Sequence, residues 1–283
     1  MIDLNLLLAL VFGFMLIALA VMSITTNIPK KPVGGDGVGK RTLFIDCDDT
    51  LYRNENWEVA KLITRNIDDY VTQKLGLPSG KAYELYKKHG TCLRGLQQEE
   101  IKFDLDDFLK TVHEIPKIEK YIKEDPDLKK MLNRITVDKW VFTASIKEHA
   151  TNCIEHLGVE KCFENPIIDV RAAKFHTKHS IECYQHAMEI AKNGDPSLCY
   201  IVDDSWSNIK TAKKIGWNTA LIGLKSRDGK DALKYMSDFA DHIIADVKEL
   251  PKIWPELFER EQKSSPNGAR RRKSSKGKRR KAD

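Results

Sequence analysis

Acidic residues end two short apolar runs of this chain, and their types and spacing suit the binding of a divalent cation. Asp46 and Asp48 follow the run Thr42–Ile45, and Asp203 and Asp204 end a second apolar run. Carboxylates brought together repel one another and lose hydration unless a hard cation neutralises them. Because a ligand set made only of oxygen favours Mg²⁺ over zinc, the pattern predicts a Mg²⁺ site.

Such a cluster requires a sheet whose strands all end at one edge. Strand-like apolar segments alternate with helical ones and lie at Thr42–Ile45, Lys139–Phe142, Cys199–Val202 and Thr219–Ile222. This alternation predicts an α/β fold with a doubly wound parallel sheet, in which ligands bind beyond the carboxyl ends of the strands. The helical stretch from about Trp57 to the 130s is too long for a crossover and predicts a separate small helical domain.

The residues around these carboxylates resemble the motifs of the haloacid dehalogenase-like (HAD) phosphohydrolases. In motif order, the matching residues are Phe44–Tyr52, then Thr143 at the end of a strand, then Lys178 at the start of a helix, then Asp203 and Asp204 with Asn208. The resemblance extends from about Thr42 to Ile222. It implies a Rossmann-like core with an inserted α-helical cap between the first two motifs.

Within that superfamily the chain is similar to the pyrimidine 5′-nucleotidase-like branch. The similar segments are Thr50–Tyr52, Tyr86–Leu96, Lys178–Met188 and Val202–Ser205. Two positions differ from the branch. His179 stands where proline is usual, which leaves Lys174 as a rival to Lys178, and Thr143 is followed by Ala144 where asparagine is commoner, which leaves the substrate contacts open.

The resemblance implies a role for each of these residues. Asp46 is expected to be the nucleophile that forms an aspartyl-phosphate. Asp48 is expected to be the general acid and base, with a pKa that burial and nearby carboxylates raise. Thr143 and Lys178 are expected to bind the phosphoryl oxygens.

Mg²⁺ is expected to be held by Asp46, the main-chain carbonyl of Asp48, and Asp204, with Asp203 acting through a water. Asn208 is expected to support Lys178 or the metal shell. A cap segment that resembles the substrate loop of the branch contains the residues expected to select the substrate, which are His89, Thr91 and Arg94.

The function implied is a Mg²⁺-dependent phosphomonoesterase for a small phosphorylated metabolite, such as a pyrimidine nucleoside monophosphate. Alternatives stay open at this point. They are a membrane-tethered protein phosphatase, a phosphomutase or dehalogenase on the same core, and a non-catalytic membrane adaptor that displays a basic tail.

The chain begins with an uncharged run, Leu4–Ile24, which would span about 30 Å as a helix, the thickness of a bilayer core. Basic residues follow the run, at Lys30 and Lys31, so the positive-inside rule predicts a single-pass membrane anchor with the catalytic domain in the cytoplasm. A cleaved signal peptide and another kind of targeting segment are the alternatives.

A basic tail accounts for the net charge of +6, which comes from 47 Lys and Arg against 41 Asp and Glu. The segment Lys263–Asp283 has ten basic residues and one acidic residue, and we expect it to be disordered. It is either a solvated, solubilising tail or a segment that attaches to anionic lipid. A nuclear-type signal is an alternative. Nucleic acid is not an expected partner, because no aromatic residues interleave the basic ones.

Composition limits the class of protein. With 41% hydrophobic and 31% charged residues, the chain is not a disordered, collagen-like or wholly membrane-embedded protein. Its six cysteines lie singly, which favours reduced thiols over a disulfide framework. The predicted organisation is an anchor (1–24), a linker (25–40), a core (41–53 and 137–260), a helical cap (54–136) and a tail (261–283).

Overall fold

A computed structural model of the chain describes residues 39–53, 56–225, 231–236 and 238–259. Over these residues a parallel sheet forms the centre of the fold. Its strands are Thr42–Ile45 (β1), Asp138–Val141 (β2), Cys199–Asp203 (β3), Asn218–Ile222 (β4) and His242–Ile244 (β5). They lie in the order β2-β1-β3-β4-β5, and every neighbouring pair is parallel. The predicted doubly wound parallel sheet is confirmed.

Both faces of the sheet are covered, which explains why its central strands are continuous apolar runs. Successive side chains of β1 point to opposite faces. Leu43 and Ile45 join one buried apolar cluster, and Phe44 joins another. On that second face, the ring of Phe44 stacks on Trp217 with the ring centroids 4.6 Å apart.

Helices connect the strands. Those between β1 and β2, which we call the helical insert, are Glu58–Asp69 (α1), Lys81–His89 (α2), Cys92–Gln98 (α3), Leu105–Val112 (α4) and Pro126–Asn133 (α5). The helices that follow β2 are Lys147–His156 (α6), Ile181–Ile190 (α7), Trp206–Lys214 (α8), Ala232–Met236 (α9) and Leu250–Ile253 (α10).

Side chains fix where several helices of the insert begin. Thr91, Asp104 and Asp125 precede α3, α4 and α5, and each accepts a hydrogen bond from the main-chain nitrogen three residues later. Such caps satisfy donors that the first helical turn leaves without partners. Pro126 opens α5, where its missing N–H costs nothing.

The helical insert has an apolar cluster of its own, which also contacts the core. Leu85, Leu96 and Phe108 are among its fully buried members, and Ile146 joins it from the segment just before α6. The insert is therefore packed against the segment that joins β2 to α6, which also contains Thr143.

Within the described residues, no helix is both long enough and apolar enough to cross a bilayer. With 12 residues, α1 would span only about 18 Å of an apolar layer roughly 30 Å thick. This finding contradicts the predicted single-pass membrane localisation. The run Leu4–Ile24, on which that prediction rested, lies outside the described residues, as do the linker up to residue 38 and the basic tail 261–283.

All six cysteines are buried, and none of them is paired in a disulfide.

Candidate active site

The strand order places one pair of strand ends at the centre of the fold. The chain adds β2 on one side of β1 and then β3 on the other side, so the order of strand addition reverses between β1 and β3. Ligands of open parallel sheets bind at such a switch point, beyond the carboxyl ends of the strands. Asp46 follows β1 at this place, and Asp203 is the last residue of β3.

Asp46 is a buried carboxylate held in a fixed direction. Its main-chain nitrogen donates to the carbonyl of Val202 on β3, at 3.0 Å. The hydroxyl of Thr50 donates to Asp46 Oδ2 at 3.2 Å, and Lys178 Nζ donates to Asp46 Oδ1 at 2.6 Å. A neighbouring strand, a turn and a distant lysine therefore orient the same carboxyl group.

Lys178 joins the two strand ends. Its Nζ lies 2.6 Å from Asp46 Oδ1 and 2.9 Å from Asp203 Oδ2, and its side chain is 2% exposed. Burial would lower the pKa of Lys178, but the two carboxylates outweigh it and raise the pKa above its usual value. Lys174, the rival lysine, is exposed, so Lys178 is the one that contacts these acids.

Asp203 is completely buried and bonded on both oxygens. The side-chain amide of Asn208 donates to Oδ1 at 2.9 Å and to Oδ2 at 3.1 Å, and the main-chain nitrogen of Ser205 donates to Oδ1 at 2.8 Å. The described bonds therefore join Asn208 to Asp203, and Asn208 acts on Lys178 only through that carboxylate.

The residues around Asp46 fit a hard divalent cation. Carboxylate oxygens of Asp46, Asp203 and Asp204 lie within 4.8 Å of one another, and Lys178 contributes one positive charge against them. Burial raises the pKa of Asp46 above its usual value, although Lys178 opposes the shift. A cation would offset this cost, and a donor set of oxygens alone suits Mg²⁺.

Asp48 makes a different set of contacts, on the side of α6. Its Oδ1 accepts hydrogen bonds from the hydroxyl of Tyr52 at 2.6 Å and from His149 Nε2 at 2.7 Å. Its Oδ2 accepts a bond from the hydroxyl of Ser145 at 2.8 Å. Burial acts to raise the pKa of Asp48, but His149 and the other donors outweigh it, so the net shift is downward. The predicted rise in the pKa of Asp48 is therefore wrong for this arrangement.

Thr143 lies just beyond β2, next to these residues. It is 2% exposed, its main-chain nitrogen donates to the carbonyl of Ile168, and its hydroxyl accepts a bond from the nitrogen of Ser145 at 3.1 Å. The ends of β1, β2 and β3 thus bring carboxylates and a hydroxyl to one edge of the sheet, where Lys178 meets them from the segment before α7.

The sequence pattern of the haloacid dehalogenase-like hydrolases matches residues 40–216 of the chain. The chain belongs to this hydrolase family. It is 24% identical over 243 residues to "Phosphate metabolism protein 8" of Saccharomyces cerevisiae, and the match covers 76% of this chain and 72% of the yeast protein.

The chain is also similar to solved structures. A Thermotoga maritima protein assigned as a beta-phosphoglucomutase has a TM-score of 0.50 and 20% identity, over 77% of this chain and 100% of that one. A conserved haloacid dehalogenase-like protein of Agrobacterium tumefaciens has a TM-score of 0.48 and 16% identity, over 77% and 99%. The predicted HAD superfamily is confirmed, and the pyrimidine 5′-nucleotidase branch stays a prediction.

The predicted substrate-selecting residues of this HAD hydrolase lie where the helical insert meets the core. A Cβ atom on Gly90, between α2 and α3, would lie 2.8 Å from His179 Nδ1, so this loop touches the residue after Lys178. Arg94 is half-buried on α3, close enough for its charge to act on His179 and Glu182.

The other two predicted selecting residues have structural contacts. Thr91 caps α3 through its hydroxyl. The ring of His89 lies 3.3 Å from Glu99 Oε1, a carboxylate that also pairs with Lys81 and Lys88. Of the three, Arg94 is therefore the one whose charge acts on residues that follow Lys178.

Sequence reasoning missed His149, Ser145 and Tyr52 as partners of the HAD hydrolase's second aspartate. Tyr52 lies inside the first motif and Ser145 two residues after Thr143, so both had a positional signal. His149 is a single histidine on α6, 101 residues after Asp48, and nothing in the sequence points from one to the other.

Proposed function

We propose that this HAD hydrolase is a Mg²⁺-dependent phosphomonoesterase that acts through an aspartyl-phosphate on Asp46. The observation that carries the proposal is the buried Asp46 carboxylate, which Thr50 and Lys178 direct at the switch point of the sheet. A carboxylate nucleophile must be fixed and partly screened from other negative charge before it can approach a phosphate ester. Lys178 supplies both conditions.

In the first step, an Asp46 oxygen attacks phosphorus and the bond from phosphorus to the ester oxygen breaks. The departing oxygen takes a proton from Asp48, whose pKa is raised again by the negative charge of the bound phosphoryl group, and leaves as an alcohol. In the second step, Asp48 accepts a proton from water, the water oxygen attacks the aspartyl-phosphate, and the carboxylate of Asp46 is restored with release of phosphate. Thr143 and Lys178 hold the phosphoryl oxygens in both steps.

Mg²⁺ would be held by Asp46, Asp204 and the main-chain carbonyl of Asp48, with Asp203 in the surrounding shell. The bonding of Asp203 to Lys178, Ser205 and Asn208 supports that outer position. When bound, the ion supplies positive charge to the transferring phosphoryl group, where most stabilisation of phosphoryl transfer arises.

We propose that the helical insert acts as a cap and that the substrate is small. The contact between Gly90 and His179 supports this proposal, because a folded protein substrate would have to displace the loop that precedes α3. Within this class we propose a nucleoside monophosphate of the pyrimidine type, which rests on the resemblance of Tyr86–Leu96 to the substrate loop of that branch.

The decisive experiment measures hydrolysis of para-nitrophenyl phosphate with and without Mg²⁺, for the wild type and for Asp46→Asn. We expect Mg²⁺-dependent turnover in the wild type and only background in the variant, because an amide is not a nucleophile. Circular dichroism should show that the variant is folded. Asp106→Asn, at a carboxylate that is 87% exposed, is the matched control and should retain full activity.

A loss of only about tenfold in Asp46→Asn would correspond to about 1.4 kcal/mol and would point to a different nucleophile. A panel of pyrimidine and purine nucleoside monophosphates, sugar phosphates and phosphopeptides then tests the substrate class. Faster turnover of a phosphopeptide than of every small ester would contradict the proposal of a small substrate.

A further inference from the structure

His149 is a buried imidazole to which the proposed reaction steps assign no role. Its side chain is 1% exposed, it lies on α6, and its Nε2 is 2.7 Å from Asp48 Oδ1. A polar group taken out of water costs free energy unless it is hydrogen-bonded. The bond to Asp48 Oδ1, which is shorter than the 3.5 Å contact of the same nitrogen with Cys153 Sγ, is therefore a fixed part of the structure.

Two further neighbours restrict the imidazole. Cys153, one turn later on α6, has its Sγ 3.5 Å from Nε2, the nitrogen that also bonds Asp48. The ring of His113, at the end of α4, lies with its centroid 5.5 Å from that of His149. Because both the helix and the insert restrict the ring, the direction of its Nε2–H bond is set before any substrate binds.

The two oxygens of Asp48 face different surroundings. Oδ1 is occupied by His149 and Tyr52, whereas Oδ2 meets Ser145, whose main-chain nitrogen donates to the hydroxyl of Thr143. Oδ2 is therefore the oxygen on the side of Thr143, the residue proposed to bind the phosphoryl group. Fixing Oδ1 fixes the rotation of the carboxyl group and thus the direction of Oδ2.

We propose that His149 is a positioning residue for Asp48, which holds Oδ1 so that Oδ2 exchanges the proton with the leaving group. The proposal rests on the proposed phosphomonoesterase function and adds a residue to it. Tyr52 contributes to the same oxygen, but it belongs to the same turn as Asp48. His149 alone of these two anchors Asp48 to a separate element, α6.

The test uses the full-length protein and the variants His149→Leu and His149→Gln. Leucine fills the space without a donor, and glutamine places an amide nitrogen near the position of Nε2. Turnover is measured for a series of aryl phosphates of increasing leaving-group pKa and for an alkyl phosphate. General acid catalysis contributes roughly 10²–10⁴-fold, and most of it falls on poor leaving groups.

We expect His149→Leu to lower kcat for the alkyl phosphate by about 10²-fold or more, and for the best aryl leaving group by less than about fivefold, with KM nearly unchanged. His149→Gln should recover a large part of the loss. In an Asp48→Asn background, His149→Leu should cause no further loss, because residues that act through one another are not additive.

His156→Gln is the matched control. His156 lies on the same helix, but its Nδ1 bonds the carbonyl of Asn152 in its own helix, so the variant should match the wild type for every substrate. Equal losses on all leaving groups, no recovery in His149→Gln, or an additive loss in the Asp48→Asn background would each overturn the positioning role. If His149→Leu fails to fold, His149→Met, which also lacks a donor, takes its place under the same leaving-group criterion.

Failure of the proposed role of His149 and failure of the proposed phosphatase function give different results. A wild-type protein without Mg²⁺-dependent phosphatase activity overturns the function itself. A wild type that is active, with a leaving-group dependence that His149→Gln and His149→Leu leave unchanged, overturns only the role of His149.

Discussion

Lys178 is the residue on which the charge balance of the site depends. It lies between the carboxylates of Asp46 and Asp203, and all three side chains are almost completely buried. In a buried ion pair, the removal of one partner leaves the other charged without hydration, and this typically costs about 3–5 kcal/mol. Here the loss of the lysine would leave two such carboxylates facing each other.

We therefore expect Lys178→Met to abolish turnover and also to lower the free energy of unfolding by about 3–5 kcal/mol. Urea unfolding in the presence of a chelator measures the loss without help from a bound cation. The double variant Lys178→Met/Asp203→Asn should regain part of the stability, because one of the two carboxylates is then neutral.

Lys213→Met is the control for this prediction. Lys213 pairs with Asp241, but its side chain is 43% exposed, and exposed pairs contribute about 0–1 kcal/mol. Equal losses of stability in the two methionine variants would show that Lys178 is not the charge-balancing residue.

The sequence predicts the members of this acid cluster better than the partners of Asp48. Asp46 and Asp203 were predictable, because each ends an apolar run, and parallel strands end at one edge of a sheet. His149 was not, because a single histidine on a helix carries no sign of which residue it contacts. The pKa of Asp48 was predicted in the wrong direction for the same reason, since only burial and neighbouring carboxylates were considered.

At the scale of elements, the loop between α2 and α3 links the helical insert to the core. Gly90 has a φ of +87°, a backbone conformation that residues with a side chain rarely adopt. It also approaches His179 closely. The loop therefore fixes where α3 begins, and it places Arg94, in the first turn of α3, at the boundary between the insert and the core.

We expect Arg94→Ala to raise KM for the preferred phosphate ester by about tenfold or more, because the variant loses one hydrogen bond from a charged group to the substrate. The kcat for para-nitrophenyl phosphate should change little, because the residue is not placed among the reacting groups. Arg65→Ala, at a side chain of α1 that is 77% exposed, is the control. An equal collapse of kcat for every substrate would indicate a structural role instead.

His113, at the end of α4, connects the insert to the surroundings of Asp48. Burial lowers the pKa of His113 from 6.5 to about 4. The bond from its Nδ1 to the carbonyl of Leu109 and the charge of Asp48 oppose this shift, and the charges of His149 and Arg171 add to it. Between pH 6.5 and about pH 4, the unfolded chain therefore binds more protons at His113 than the folded chain does.

The free energy of unfolding should therefore fall as the pH decreases from 6.5 to about 4, by about 3 kcal/mol from this residue. His113→Asn keeps a donor near Nδ1 and cannot be protonated, so the variant should lose this part of the slope. His156→Asn is the matched control, because His156 makes the same bond to the carbonyl four residues before it. Chemical unfolding at several pH values measures the free energy of unfolding of each protein. If this free energy depends on pH in the same way for wild type and His113→Asn, the prediction is wrong.

The sequence predicts a helix or strand well where a single hydrophobic period dominates the segment. Thr42–Ile45 was predicted with the bounds that the structure shows, because both faces of that strand are buried. β5 was missed, since His242–Ile244 is short and begins with a polar residue. α3 was missed as well, because its seven residues begin at a cap, Thr91, that was interpreted only as a substrate contact.

At the scale of the whole molecule, a bound cation should stabilise the fold, because its proposed ligands come from strands that are distant in sequence. At a Mg²⁺ concentration of about 100 times its dissociation constant, the gain is about 2.7 kcal/mol, or roughly 5–10 °C in Tm. We expect Mg²⁺ to raise the Tm of the wild type by this amount and a chelator to reverse the change. Asp204→Asn should not respond, whereas Asp106→Asn should respond like the wild type, and a full response in Asp204→Asn would place the ion elsewhere.

The order of the strands also determines when this site can exist during synthesis of the chain. β1 emerges first, yet it pairs with β2 and β3, and Lys178 follows Asp46 by 132 residues. Contacts of such separation form late, because a long loop must close before they are gained. The helical insert, with an apolar cluster made largely of its own residues, has the means to fold as soon as it leaves the ribosome. We therefore expect a nascent chain to carry a folded insert before the candidate site is complete, so that its apolar first strand must be kept from wrong partners until β3 has been made.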